Sequence, residues 1–176
     1  MSWLDKILPS RIRAEKESKG SVPEGLWHKC LSCDAVIYRA EFEKNLNVCP
    51  KCNNHGRISA RTRADIILDA EDRIELFDNI MPVDMLNFKD KEKYKDKLLS
   101  TQKKTGEKDA MLVFKGNINK VPAIVCIFEY SFFGGSMGSV VGEKFSLAIK
   151  KCIEEKKALV CFSASGGARM QESLFS

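Results

Sequence analysis

Cys30-Leu31-Ser32-Cys33 and Cys49-Pro50-Lys51-Cys52 place four thiols in 23 residues, as two C-x2-C knuckles with 15 residues between them. Each knuckle is short enough for a tight turn to aim both sulfurs at one ion, and two knuckles complete a tetrahedron. Four thiolates suit zinc and leave no coordination position open, so the chemistry expected of Cys30, Cys33, Cys49 and Cys52 is structural rather than catalytic. Without metal the same thiols would be redox dithiols or a chance grouping. His28 and His55 flank the knuckles and read as surface residues. The three remaining cysteines, Cys126, Cys152 and Cys161, sit singly in apolar surroundings and read as core filler.

Two glycine-rich strings offer a second chemistry: Gly134-Gly135-Ser136-Met137-Gly138 and Ser163-Ala164-Ser165-Gly166-Gly167-Ala168-Arg169. Each follows an apolar run and leads into helix-forming residues, which puts both at the carboxyl ends of strands, where open α/β sheets bind ligands. Glycine lets backbone N–H groups approach a ligand closely, and a helix N-terminus behind adds partial positive charge. Such a turn suits a phosphate, a carboxylate or a developing oxyanion; it also suits nothing more than a strand-to-helix connection with a surface arginine. Arg169 brings a planar cation that can grip a carboxylate with two bonds. The strings match neither the Walker A pattern nor G-x-G-x-x-G. Both histidines lie beside the cysteines, so no Ser-His-Asp set is available, and backbone stabilisation of an oxyanion is the more attractive chemistry.

The elements that would hold these groups can be read from periodicity. AMLVFKGNINKVPAIVCIFEY contains two β-branched and aromatic runs separated by Gly116, Asn117, Asn119 and Lys120, a hairpin pattern. Apolar positions 141, 145, 148 and 152 form a helical stripe, and ALVCFS has the continuous apolar character of a strand buried on both faces. Strand 122–129, helix 139–156 and strand 158–163 then make a right-handed βαβ crossover. Upstream, Thr62 can cap a helix that contains Ile66, Ile67 and Leu68, and a second helix is expected over 89–104. Its charges are mixed in sign, which suits a solvated face.

The net charge is +5, and all of the excess falls in residues 1–63, with 12 Lys/Arg against 7 Asp/Glu; residues 64–176 carry 17 of each. A basic module beside a neutral domain points to an anionic partner, either nucleic acid or a phosphorylated small molecule. No apolar run approaches the roughly 20 residues of a membrane span, and the first 20 residues lack the features of a secretory signal, so a cytoplasmic location without membrane association is expected. The organisation expected is an amphipathic segment and linker over 1–25, a zinc ribbon over 26–58 and an α/β domain over 59–176.

With these residues in view, the chain resembles the beta subunits of the bacterial acetyl-CoA carboxylase carboxyltransferases. The resemblance rests on the MSWLDKI start, the four-cysteine ribbon, GGSMGSVVGEKF and CFSASGGARMQES, and it covers nearly the whole chain. It implies an incomplete crotonase-like ββα spiral preceded by the ribbon. It further implies transfer of a carboxyl group from carboxybiotin, on a biotin carboxyl carrier protein, to acetyl-CoA to give malonyl-CoA, the first committed step of fatty acid synthesis. The implied partners are a carboxyltransferase alpha subunit in an α2β2 assembly and a biotin carboxylase that uses ATP to load the biotin. Carried over to this chain, the catalytic residues are Arg169, which holds a carboxylate, with Gly166 and Gly167; Gly134, Gly135, Ser136 and Gly138 line the substrate side.

The chain departs from the family pattern in length. Family members continue beyond SGGARMQES through further ββα turns, so the expectation is either a fragment of a longer protein or a truncated chain, inactive alone. Two other functions stay open: a nucleic-acid-binding zinc ribbon, and a non-catalytic decoy that occupies the alpha subunit.

Overall fold

The structure, a computed structural model, describes residues 25–176. The amphipathic start expected before residue 25 lies outside the described residues. The chain divides into two compact units, one ending at Gly56 and one spanning Arg57–Ser176.

In the first unit, strands β1 (Trp27–Lys29) and β2 (Val36–Tyr38) pair antiparallel around the first knuckle, and helix α1 (Arg39–Lys44) follows. An isolated antiparallel bridge, Val48 to His55, frames the second knuckle. The apolar interior is small, consisting of Ile37 and Phe42 packed with Cys30 and Cys49. His28 is not the free surface residue expected. Its ring stacks on Phe42 at 4.1 Å, since it is the middle residue of β1 and points with Ile37 toward the interior.

The second unit is an α/β sandwich. Helix α2 (Ala60–Ile67), strand β3 (Ile74–Leu76), helix α3 (Tyr94–Thr105), strands β4 (Met111–Ile118) and β5 (Val121–Phe128), helix α4 (Ser139–Glu155) and strand β6 (Ala158–Phe162) follow in order. The sheet order is β3-β4-β5-β6, antiparallel except for the parallel β5–β6 pair that α4 connects. Side chains alternate across β4 and β5 with period two. Met111, Val113, Ile124, Cys126 and Phe128 pack on one face with Tyr94 and Leu98 of α3 and Val141, Ala148 and Cys152 of α4. Leu112, Phe114, Ala123, Val125 and Ile127 pack on the other with Ala60, Ala64 and Leu68. Each large apolar side chain so buried contributes about 1.5–3 kcal/mol.

Local chemistry moves several expected boundaries. Ser59, not Thr62, caps α2: Ser59 is extended at φ −69°, ψ 160°, and its hydroxyl accepts the Thr62 N–H at 3.1 Å. Helix α3 starts at Tyr94, five residues later than expected, and ends at Gly106 with φ 75°. The hairpin turn is only Asn119-Lys120, both at positive φ, because the Asp69 carboxylate accepts both their N–H groups, at 3.2 and 2.8 Å; Gly116 and Asn117 remain in β4. The strand buried on both faces is β5, whereas β6 is an edge strand whose residues are half-buried or exposed. Cys161 is therefore exposed, not core; Cys126 and Cys152 are buried as expected. No helix among the described residues is long and apolar enough to cross a membrane.

Candidate functional site

In the ribbon, Cys30 Sγ lies 3.7 Å from Cys52 Sγ, and Cys33 Sγ lies 3.7 Å from Cys49 Sγ; all four sulfurs lie within 4.8 Å of one another. Zinc–sulfur bonds of about 2.3 Å in a tetrahedron put sulfurs about 3.8 Å apart, so the four thiols fit one zinc ion. Backbone N–H groups of Cys33 and Ser32 hold the Cys30 thiol down at about 6. At Cys33 the Ala35 N–H is outweighed by the neighbouring sulfurs, Cys52 first, and by burial, which push that thiol up to about 12: four clustered thiols do not all ionise without a cation among them. Among the described residues this is the one cluster of metal-ligating side chains. The ribbon carries four Lys/Arg and three Asp/Glu over residues 25–56, with Lys29 paired to Asp34 and Arg39 to Glu43. The positive excess read from the sequence therefore does not belong to the ribbon.

In the second unit the two glycine turns lie side by side at the carboxyl ends of β5 and β6. They are zipped together: Gly166 N–H donates to Gly134 O at 2.9 Å, Met137 N–H to Gly167 O at 2.8 Å, and Arg169 N–H to Met137 O at 2.7 Å. Such close contact explains the glycines. A Cβ on Gly135 would sit 1.9 Å from Ala164 O, and one on Gly138 would sit 2.7 Å from a Glu172 carboxylate oxygen. Phe133, Gly134 and Gly135 run consecutively at positive φ, 48°, 67° and 66°. For phenylalanine that backbone is strained, at a cost of about 1–3 kcal/mol.

Arg169 is placed differently from the expectation. It is fully buried and already holds carboxylates, but they are the chain's own. Nη1 and Nη2 donate to Asp109 at 2.8 and 2.9 Å, Nη1 also donates to Glu172 at 3.0 Å and to Tyr94 Oη at 3.3 Å, Nη2 donates to Ser136 O at 2.9 Å, and Nε donates to Ser136 Oγ at 3.3 Å. The Phe132 and Phe133 rings lie 5.5 and 5.6 Å from the guanidinium carbon. An external anion would reach this fork only in place of Asp109 or Glu172. The α-helix expected behind Arg169 is also replaced, by short 3-10 turns over Met170–Phe175 that break at Ser173, φ 51°.

Glu172 ties this cluster to α4. Its carboxylate accepts the Ser139 N–H and hydroxyl, both at 2.7 Å, and the Tyr94 hydroxyl at 2.6 Å. The helix N-terminus that was expected to face a ligand is thus capped by an internal anion. Burial works against ionisation of Glu172, but the Tyr94 and Ser139 donors outweigh it and hold the carboxyl below its usual range. Burial, reinforced by donation to Glu172, pushes the Tyr94 hydroxyl up. Among the described residues no buried side-chain polar atom is left without a partner.

Asp109, Glu172 and Tyr94 were missed by sequence reasoning. Asp109 lies in a polar loop 60 residues before its partner, so only the fold brings them together. Of the expected donors, Gly166 N–H is used by Gly134 O, and Gly167 N–H contacts Ser165 Oγ at 3.1 Å. Ala168 forms a parallel bridge with Met137 through its neighbours' groups, Gly167 O and Arg169 N–H. Alternation along extended backbone turns its own N–H away from that bridge. The outer side of the turns is an open groove of about 450 Å³, whose lining includes Lys97, Phe133, Ser136, Gly166, Ala168 and Arg169.

Residues 27–52 match the family described as the acetyl-CoA carboxylase zinc finger domain. The chain is similar in structure to the transcarboxylase 12S solved as a hexamer with methylmalonyl-coenzyme A and methylmalonic acid bound. The TM-score is 0.54 and the identity 21%, over 77% of this chain and 23% of that one. It is also similar to the beta subunit of geranyl-CoA carboxylase from P. aeruginosa, with a TM-score of 0.52 and 19% identity over 78% of this chain and 21% of that one. The chain thus spans under a quarter of the length of these proteins. The chain thus carries a match to an acetyl-CoA carboxylase zinc finger, and its α/β fold, crotonase-like in kind, resembles part of the fold of these larger proteins.

Proposed function

We propose that the chain supplies the acyl-CoA side of a biotin-dependent carboxyltransferase that forms malonyl-CoA from acetyl-CoA. The observation that carries this reading is the pair of interlocked glycine turns at adjacent strand ends, bordering an open groove, in a chain with an acetyl-CoA carboxylase zinc finger. Carboxyl transfer to acetyl-CoA requires removal of a proton from the methyl carbon, which moves charge onto the thioester oxygen. A fixed N–H donor at that oxygen is worth about 3–4 kcal/mol. Ala168 N–H, turned out of the bridge at the groove, is the donor the geometry favours. Gly134, Gly135, Ser136, Gly138, Gly166 and Gly167 hold the turn in place around it.

On this reading Arg169 acts through position. Its bonds to Asp109, Glu172 and both Ser136 acceptors fix one turn against the other. Carboxybiotin comes from a carrier protein, an alpha subunit completes the assembly, and a biotin carboxylase consumes ATP. The test is the reverse reaction. The zinc-loaded chain with the alpha subunit should move 14C from [carboxyl-14C]malonyl-CoA to free biotin, and absence of labelled carboxybiotin contradicts the reading.

A second reading, nucleic-acid binding by the ribbon, is favoured by one observation. Trp27 and Tyr38 face each other across the hairpin at 5.7 Å and are 58% and 44% exposed, a surface on which bases can stack. The paired charges around it weigh the other way. Affinity for single-stranded RNA that falls steeply with salt, with none for CoA esters, would support it.

A further inference from the structure

We propose that Lys97, and not Arg169, is the cation that receives a carboxylate in this groove. The inference rests on the carboxyl-transfer reading for its ligand class, a carboxylated acyl group, and assigns the residue that recognises it.

A site that handles a carboxylated acyl group needs a cation that can be reached. Arg169 borders the groove, but its side chain is fully buried and Asp109, Glu172, Tyr94 and Ser136 occupy its donors. Lys97 lines the groove and is half-buried. Its ammonium lies 5.7 Å from the centre of the Phe133 ring, and among the described residues it has no carboxylate partner. A half-buried ammonium that lies against an aromatic ring, with no carboxylate beside it among the described residues, has N–H donors to offer a ligand.

The surroundings fix this lysine where it is needed. Lys97 lies one turn after Tyr94 on α3, and the Tyr94 hydroxyl is bound to Glu172 and Arg169, so the helix is tied to the turns that form the other wall. Phe133 is held at φ 48°, and its ring approaches both cations, Arg169 at 5.6 Å and Lys97 at 5.7 Å. Strained backbone of this kind collects at ligand sites. Lys97 and Ala168 both line the groove, which gives it one charged side-chain donor and one neutral N–H. That is a match for a carboxylate next to a carbonyl.

The test uses the whole zinc-loaded chain, 15N-labelled, with sodium malonate as the probe at constant ionic strength. Expected are saturable amide shifts at Lys97 and Ala168. Lys97→Gln should weaken binding about tenfold or more, the loss of one charge-assisted hydrogen bond. Lys97→Arg should retain binding, and Lys104→Gln, at the exposed end of the same helix, should leave it unchanged. Lys97 anchors no buried group, so the variant should keep the wild-type thermal midpoint. Binding of malonate that is unaffected by Lys97→Gln, or no saturable shift at these amides, overturns the proposal. Parallel titrations with acetyl-CoA and malonyl-CoA separate it from the reading beneath. If malonate binds through Lys97 but neither ester binds, the carboxylate site stands and the carboxyl-transfer reading falls. If acetyl-CoA binds in the groove and malonate does not, the reading survives and the role of Lys97 is lost.

Discussion

Arg169 and Asp109 meet fork to fork, two guanidinium nitrogens on two carboxylate oxygens at 2.8 and 2.9 Å, with both side chains wholly removed from solvent. Removing one partner of such a pair strands the other charge in the interior. Asp109→Asn should therefore destabilise the chain by about 3–5 kcal/mol, read as a drop in the midpoint of urea unfolding. A loss below about 1 kcal/mol would mean the fork is not closed in solution.

Glu172 gives the chain an acid sensitivity whose sign follows from its environment. Its folded-state carboxyl is held below the usual range, so its contribution is complete above the unfolded carboxyl value of about 4.3 and is lost as pH falls through the lower folded value. Stability should fall in that acid window, and Glu172→Gln should flatten this part of the slope. Unfolding free energies between pH 3 and 6 check it.

Three glycines that look alike in sequence should respond differently to alanine. Gly135→Ala drives a Cβ to within 1.9 Å of Ala164 O and should prevent the turns from closing, at a cost above about 3 kcal/mol. Gly134 has open space but sits at φ 67°, so alanine there should cost only about 1–2 kcal/mol. Gly142 lies in α4 with nothing nearby, and alanine should stabilise by about 0.5–1 kcal/mol. Melting curves for the three variants give the ranking.

Zinc removal should act locally. The apolar cluster of the ribbon is Ile37 and Phe42 with two of the cysteines, too little to fold 30 residues, whereas metal binding in such modules contributes about 10–16 kcal/mol. Chelation should open residues 25–56 to protease while the amides of β4 and β5 stay protected from exchange. Ribbon amides that remain protected without metal would show that zinc is not what folds it.

Much of this was legible in the sequence because the signals were local. The thiol spacing specified the zinc ligands, and alternation specified the hairpin and the α4 stripe. What was not legible depended on distant partners. Nothing near Arg169 announces that Asp109, 60 residues earlier, will neutralise it, so an arginine beside a glycine turn reads as a ligand group. Lys97, one lysine among many in a solvated helix, becomes distinctive only when α3 is docked and sets it beside Phe133 at the groove. The apolar run ALVCFS suggested a central strand, yet sheet order, which no single strand encodes, put β6 at the edge.

The most direct test of the account is to map where acetyl-CoA binds. Amide spectra of the zinc-loaded chain, recorded through an acetyl-CoA titration, should show saturable shifts at Ser136, Gly166 and Ala168, with β1 and β2 unchanged. Shifts confined to the ribbon, or none at the two turns, would contradict the assignment of this groove as the acyl-CoA site.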